Sequence, residues 1–272
     1  MELVEKTIDL GTTSLKLSTG KLAKQASGSA FITAGGTAVL VTAQAAKDPR
    51  SGVDFLPLTV DYQEKMSAAG RIPGGFFKRE GRPRDDETLT SRLIDRSIRP
   101  LIVEGWRFET QVIATVFSMD PAYPADTLAL SGASFALALS DVPFQGPIAG
   151  VRVCRVDRRL LVNPSHEQRE LADINLFVSC SRDAIVMVEG GANIAKEADV
   201  IDALLFAHEQ AQKIISAQED MVKLAGKTKR EFTPPERDKA LEARVRELAT
   251  PKLSAAYEIR EKQERYAKLD EV

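Results

Sequence analysis

Two cysteines, two histidines and one tryptophan in 272 residues leave little material for several kinds of chemistry. Cys154 and Cys180 form no CxxC pattern, and two cysteines are too few for a disulfide scaffold. Both lie in apolar, strand-like runs, which suits reduced thiols in a core. His166 falls in a turn-like stretch and His208 in a helical pattern, so a histidine-built metal site or a Ser-His-Asp triad is disfavoured. No stretch approaches 18 consecutive apolar residues, and Met1-Glu2-Leu3-Val4-Glu5-Lys6 lacks the basic-then-apolar order of a signal peptide. The expectation is a soluble, cytoplasmic protein with no membrane partner. Charge of one sign is also missing: the net charge of −2 excludes a globally basic nucleic-acid binder, so any RNA or DNA site has to be a local patch.

An apolar content of 43% supports a sizeable core, and 28% charged residues is ordinary for a globular chain. The length exceeds one typical domain, so one large domain plus a second piece is expected.

Along the chain, residues 12–18 alternate as a strand, and 28–33 and 37–42 form a hairpin signal around Gly35-Gly36. Strands are predicted over 55–62 and 109–118, and a buried helix over 125–140. Two more hairpins follow, at 151–156 with 160–162 and at 174–180 with 184–189, the latter turning at Ser181-Arg182-Asp183. An amphipathic helix covers about 195–225. From His208 onward 27 of 65 residues are charged; Lys227 to Pro235 has the look of a linker, and another helix runs from Glu236 to about Ala249. Strands with helices first and helices alone afterwards indicate an α/β (α+β) domain over 1–210 and an all-α piece over 211–272.

The stretch Gly74 to Pro100 is the richest in candidate chemistry. Glycines and Pro83 make its first part a loop carrying Phe76, Phe77, Lys78, Arg79 and Arg82. Asp85 and Asp86 offer an N-cap, and Glu87 adds charge to the first turn of a helix that Pro100 stops. Leu89, Leu93, Ile94, Ile98 and Leu101 cover one face; Arg92, Arg96 and Arg99 cluster beside it. Exposed rings and a ridge of guanidinium groups suit a single-stranded nucleic acid, rings stacking on bases and cations tracking phosphates. The competing structural reading pairs those arginines with Glu80, Asp85, Asp86 and Asp95 and buries the phenylalanines. Between Arg71 and Arg107 there are nine Lys/Arg against six Asp/Glu.

Other motifs are weaker. Asp9-Leu10-Gly11-Thr12-Thr13-Ser14 is similar to the phosphate turn of the actin and sugar-kinase superfamily, which raises a small-molecule phosphotransferase as an alternative; a plain strand-turn-strand is the simpler account. Neither a P-loop nor a dinucleotide fingerprint is present. Glu167, Glu170 and Asp173 suit a solvated turn better than a metal site, and Asp126 reads as an N-cap.

Taken together, Phe-Phe-Lys-Arg-Glu-Gly-Arg-Pro at 76–83 and Ser-Arg-Leu-Ile-Asp-Arg-Ser-Ile-Arg-Pro-Leu at 91–101 resemble the polynucleotide phosphorylase (polyribonucleotide nucleotidyltransferase) family. Thr19 to Ala26, Thr37 to Ala43, Pro57 to Tyr62 and Glu261 to Tyr266 support the resemblance, which covers the whole chain. It implies a ribonuclease PH-like mixed β-sheet domain followed by part of a helical domain, and a fragment of a longer protein. It also implies 3′→5′ phosphorolysis of RNA with Mg²⁺, in mRNA degradation, by a homotrimeric ring with single-stranded RNA and proteins of the RNA-degradation machinery as partners. The family's metal aspartates and active-site lysine belong to a second copy; here those positions align with Arg169, Asn175 and Phe177, and the phosphate loop with Asp120 to Asp126. No catalytic or metal-binding residue is therefore expected in this chain. Phe76, Phe77, Lys78, Arg79, Arg82, Arg92, Arg96 and Arg99 are expected to contact RNA, with Lys78 replacing an arginine of many members. A third possibility is an assembly element that touches no ligand.

Overall fold

The structure, a computed structural model, describes residues 2–11, 13–234 and 238–272. Met1, the Thr12 of the phosphate-turn motif, Pro235 of the expected linker and the expected helix start at Glu236 lie outside the described residues.

Period-two alternation of apolar residues builds a six-stranded sheet. Its strands are β1 (Val4–Asp9), β2 (Ser14–Thr19), β3 (Gly28–Ala34), β4 (Thr37–Pro49), β5 (Leu58–Gln63) and β6 (Phe108–Ser118), in the order β1-β2-β3-β4-β6-β5. Neighbours are antiparallel except β5 and β6, which run parallel. A parallel pair needs a crossover, and α1 (Asp85–Ile98) lies between these two strands in sequence. The expected hairpin at Gly35-Gly36 joins β3 to β4, with Gly35 at φ +52°. The motif at Asp9–Ser14 is the connection between β1 and β2, whose ladder closes on Asp9 opposite Ser14.

The second sheet is antiparallel throughout, with β7 (Ala149–Val156), β8 (Arg159–Val162), β9 (Ile174–Cys180) and β10 (Ile185–Ala192) in the order β10-β9-β7-β8. Between the sheets runs α2 (Ala125–Leu139), every residue of which is buried except Asp126. Its Ala, Ser and Gly side chains allow this closeness. A Cβ on Gly28 of β3 would stand 1.9 Å from the Ala136 carbonyl oxygen, and one on Gly150 of β7 would stand 2.6 Å from Leu130. Ser131 and Ser134 meet the second sheet with hydroxyls, accepting the N–H groups of Gly150 and Ile148 at 3.1 and 2.8 Å. Asp126 does not cap α2, as the sequence led one to expect; Pro124 occupies that place and Asp126 stands in the first turn.

A short helix α3 (His166–Glu170), capped by Ser165 through Gln168, precedes β9. The amphipathic α4 (Glu197–Ala225) packs on β7, β9 and β1. It passes unbroken through residue 210, and the compact units divide at Phe232 and Thr233. Lys227 to Phe232 is not a free linker. Lys229 Nζ donates to the carbonyls of Leu137, Ala138 and Ser140 at 2.7–2.9 Å, closing the C-terminus of α2. Arg230 pairs with Asp141 at 2.8 Å and lies over Trp106 and Phe108.

The second unit contains α5 (Lys239–Tyr257), capped by Asp238, and α6 (Lys262–Asp270), capped by Glu261. The former continues through Pro251 beyond the predicted end near Ala249.

Both cysteines are buried and free, in β7 and β9, and burial pushes their thiols up to about 11 for Cys154 and about 12 for Cys180. Among the described residues no helix is long and apolar enough to cross a membrane.

Candidate nucleic-acid interface

The segment between β5 and α1 projects outward because its own carboxylates hold its base. Glu87, in the first turn of α1, is buried; its Oε1 accepts the N–H of Glu64 and its Oε2 that of Arg84, both at 2.8 Å. Arg84 is the N-cap, so Asp85 and Asp86 begin the helix rather than cap it. Glu80 accepts the N–H of Met66, and Glu64 accepts the hydroxyl of Tyr62 at 2.8 Å. Burial, then the neighbouring Glu64, pushes the Tyr62 phenol upward, so it remains a donor.

These acids are thus engaged with backbone and with Tyr62 and Arg84, and the cations farther out on the loop keep no internal counterion. Among the described residues Lys78, Arg79, Arg82 and Arg92 make no ion pair and no side-chain hydrogen bond, and all four are exposed. Phe76 and Phe77 are 93% and 80% exposed, edge to face with centroids 5.4 Å apart. The structural alternative required these rings in the core, and they are not there. Adjacent residues hold a local excess of positive charge on a chain whose net charge is −2. Lys78 adopts φ +51°, an uncommon conformation for a residue with a side chain, one residue after the ring pair. Arg79 and Arg82 both line a hollow of about 450 Å³ between the loop and Tyr62.

Along α1 the three arginines divide. All line a groove of about 1230 Å³ floored by Val60, Leu89 and Leu93. Arg92 is free. Arg96 approaches Glu189 of β10 at 3.7 Å, both side chains being largely exposed. Arg99 is committed: it pairs with Asp95 at 2.6 and 2.9 Å and donates to the carbonyls of Leu56 and Leu58 at 3.1 and 3.2 Å. It serves the edge of β5, where no further strand pairs among the described residues. Leu89 was expected on the core face of α1 but is 60% exposed at the groove, whereas Ile94 and Ile98 are fully buried.

The positions aligned with a metal site form a different constellation. Arg152 Nη2 pairs with Asp126 at 2.6 Å, its Nη1 donates to Asn175 Oδ1 at 3.0 Å, and its guanidinium lies over the Phe177 ring. Arg169 is a second cation nearby on α3, its Nε buried without a partner. A divalent ion needs convergent anionic oxygens; among these described residues the one carboxylate, Asp126, is already paired with Arg152, so they do not fit Mg²⁺. Sequence reading missed Arg152, because a lone arginine in a strand carries no pattern. It also gave Asp173 to a solvated turn, whereas Asp173 and Asp199 both bind Arg155, at 2.7 Å each. The phosphotransferase alternative fares no better: Asp9 Oδ1 is occupied by the N–H of Gly11 at 2.7 Å in an ordinary turn.

Residues 13–143 match the 3′ exoribonuclease family, domain 1, and residues 146–210 match domain 2 of that family. The chain belongs to the 3′ exoribonuclease family. Residues 240–272 match the polyribonucleotide nucleotidyltransferase RNA binding domain. The three matches in this order, with the similarity of the whole chain to polyribonucleotide nucleotidyltransferases, are those of the N-terminal region of such proteins, as the motifs at 76–83 and 91–101 implied. The chain is 52% identical to the polyribonucleotide nucleotidyltransferase of Anaeromyxobacter sp. strain K over all of its length, and 52% identical to that of Pelobacter propionicus over 97% of it. It spans 38% and 37% of the lengths of those relatives. In fold it is similar to a chain of the Archaeoglobus fulgidus exosome with RNA bound to the active site, with TM-score 0.58 and 17% identity over 79% of this chain and 87% of that one. An archaeal exosome core chain gives 0.54 and 16% over 80% and 86%. The ribonuclease PH-like fold expected for this family is the one observed.

Proposed function

We propose that this chain is the RNA-guiding portion of a phosphorolytic 3′→5′ exoribonuclease. In that reaction inorganic phosphate attacks the terminal phosphodiester of RNA, the 3′ nucleotide leaves as a nucleoside diphosphate, and the RNA is one residue shorter. The observation that carries the reading is the exposed Phe76–Phe77 pair beside Lys78, Arg79 and Arg82, cations whose neighbouring acids are bonded elsewhere. Rings of this kind stack on bases without regard to sequence, and unpaired cations draw phosphates. Arg92 and Arg96 extend the charge along α1 toward the groove. Arg99, also nominated from the sequence, lines the groove but is committed to Asp95 and to the carbonyls of Leu56 and Leu58.

Bond breakage is assigned to residues outside this chain, because Arg152, Asn175 and Phe177 offer a divalent ion no ligand set. The Mg²⁺ of the reaction would be held there, where it would offset charge developing on the phosphates. A homotrimeric ring in the cytoplasm, acting in mRNA degradation with other degradation proteins, is the assembly this reading fits; the fold likeness to exosome chains supports a ring.

The test uses the complete protein. Phe77→Ala and Arg79→Ala should each weaken binding of a single-stranded oligoribonucleotide, the second with a shallower salt dependence; equal affinity at every salt concentration would overturn the reading. The 272-residue chain alone, given RNA, phosphate and Mg²⁺, should release no nucleoside diphosphate.

A further inference from the structure

We infer that Glu87 is a positioning residue for RNA: one buried carboxylate closes the base of the 65–83 loop and thereby sets where Phe76, Phe77, Lys78 and Arg79 stand. The inference rests on the reading of that loop as the RNA-contacting segment and adds to it the group that holds the loop in place.

The geometry is specific. The residue before the loop and the residue after it each give a backbone N–H to a different oxygen of the same group, Glu64 to Oε1 and Arg84 to Oε2, both at 2.8 Å. The Glu87 side chain is 11% exposed, so these bonds are shielded from water. Glu87 itself stands in the first turn of α1, which Ile94 and Ile98 fix in the core. The loop therefore hangs from a rigid element by a two-pronged acceptor, beside the short helical turn Met66–Ala69, whose Ala68 is buried and accepts the N–H of Met119 at 3.0 Å. Within it, Glu80 ties back to Met66 and Arg84 reaches Glu64 at 3.5 Å. Farther out, nothing lies within 4 Å of a Cβ built on Gly74, Gly75 or Gly81, so the tip is not packed. A segment with an unpacked tip takes its direction from its base. Joining its two ends also removes much of the conformational freedom that RNA binding would otherwise have to remove.

The chemistry calls for a carboxylate. Both backbone groups are donors, so the group between them must accept twice. In Glu87→Gln one oxygen becomes an NH₂ donor, which faces a backbone N–H and releases one end of the loop without changing side-chain size.

The experiment uses the complete protein carrying Glu87→Gln, with Phe77→Ala alongside. Trypsin applied well below the melting transition should cut the Glu87→Gln variant after Arg71, Lys78 or Arg79 about tenfold faster than the parent. The KM for a single-stranded oligoribonucleotide in phosphorolysis should rise about fivefold, by a larger factor than kcat falls. A merely structural loss would reduce the amount of active protein and leave KM in place. Parental cleavage rates together with a parental KM would overturn the inference. A loosened loop with unchanged KM would also overturn it if Phe77→Ala raises KM, and the RNA reading would then stand. If Phe77→Ala leaves KM unchanged, the RNA reading itself fails. Should Glu87→Gln not fold, hydrogen exchange in the parent decides the clamp: the Glu64 and Arg84 amides should exchange about a hundredfold more slowly than in a free peptide, and exchange at the free rate would overturn it.

Discussion

Arg92 lies on α1 and Arg99, seven residues on, is its C-cap; both line one groove, yet they have different work. Arg99 satisfies Asp95 and two carbonyls at the edge of β5, so Arg99→Ala strands an acid and two acceptors. With Arg99 partly exposed, solvent screening limits the loss to about 1–2 kcal/mol of stability, readable by urea unfolding. The salt dependence of RNA binding should be unaffected. Arg92→Ala should do the opposite: stability within about 0.5 kcal/mol of the parent, and a log–log salt slope shallower by about 0.7 for each phosphate left without its cation. At the ring pair, Phe77→Ala should cost about 1–3 kcal/mol of RNA affinity, the usual worth of one stacked base, in a filter-binding titration. The Arg92–Arg96–Arg99 cluster is legible from helical spacing, whereas the same sequence allows the rings to be either exposed or buried. The division of labour among the arginines is not legible there, because Leu56 and Leu58 are more than forty residues away and meet Arg99 only in the folded chain.

At the scale of elements, α2 explains why the two sheets lie so near each other. Its small side chains let β3 and β7 approach the helix, and the fit is closest at Gly28. Replacing glycine by alanine in a strand usually helps by narrowing the unfolded ensemble. Here the new methyl would lie 1.9 Å from the Ala136 carbonyl, so Gly28→Ala should destabilise by about 3 kcal/mol, measured by thermal or urea unfolding. The run of alanine, serine and glycine over 125–140 declared a buried helix in the sequence. Its partners did not appear there, since an all-apolar helix carries no face to indicate what covers it. The connection 227–232 reads as a linker because it is charged and lacks periodicity, but its lysine and arginine find the exposed carbonyls at the end of α2 and the ring of Trp106.

For the molecule as a whole, Arg155 joins β7 to the residue before β9 and to the first turn of α4. Hydrogen bonds from Arg155 hold the carboxyls of Asp173 and Asp199 below their ordinary value of 3.8. A lowered carboxyl contributes stability that is complete above the unfolded value and is lost as pH falls through the folded one. The melting temperature should therefore fall as pH drops below about 4, and Arg155→Met should flatten that part of the profile. A variant profile as steep as the parent's would show that other carboxylates govern acid unfolding.

Local order came from the sequence itself. Alternation, helical spacing, a Gly-Gly turn and a proline after Arg99 act through covalent neighbours, and they were enough for most strands, the hairpins and the buried helix; the family was legible in the motifs at 76–83 and 91–101. Only tertiary structure decided which charges are free. Whether an arginine is a ligand for RNA, a brace for a strand edge or a stand-in between Asp126 and Asn175 depends on which acceptors come within about 3 Å of it, and those acceptors arrive from distant parts of the chain.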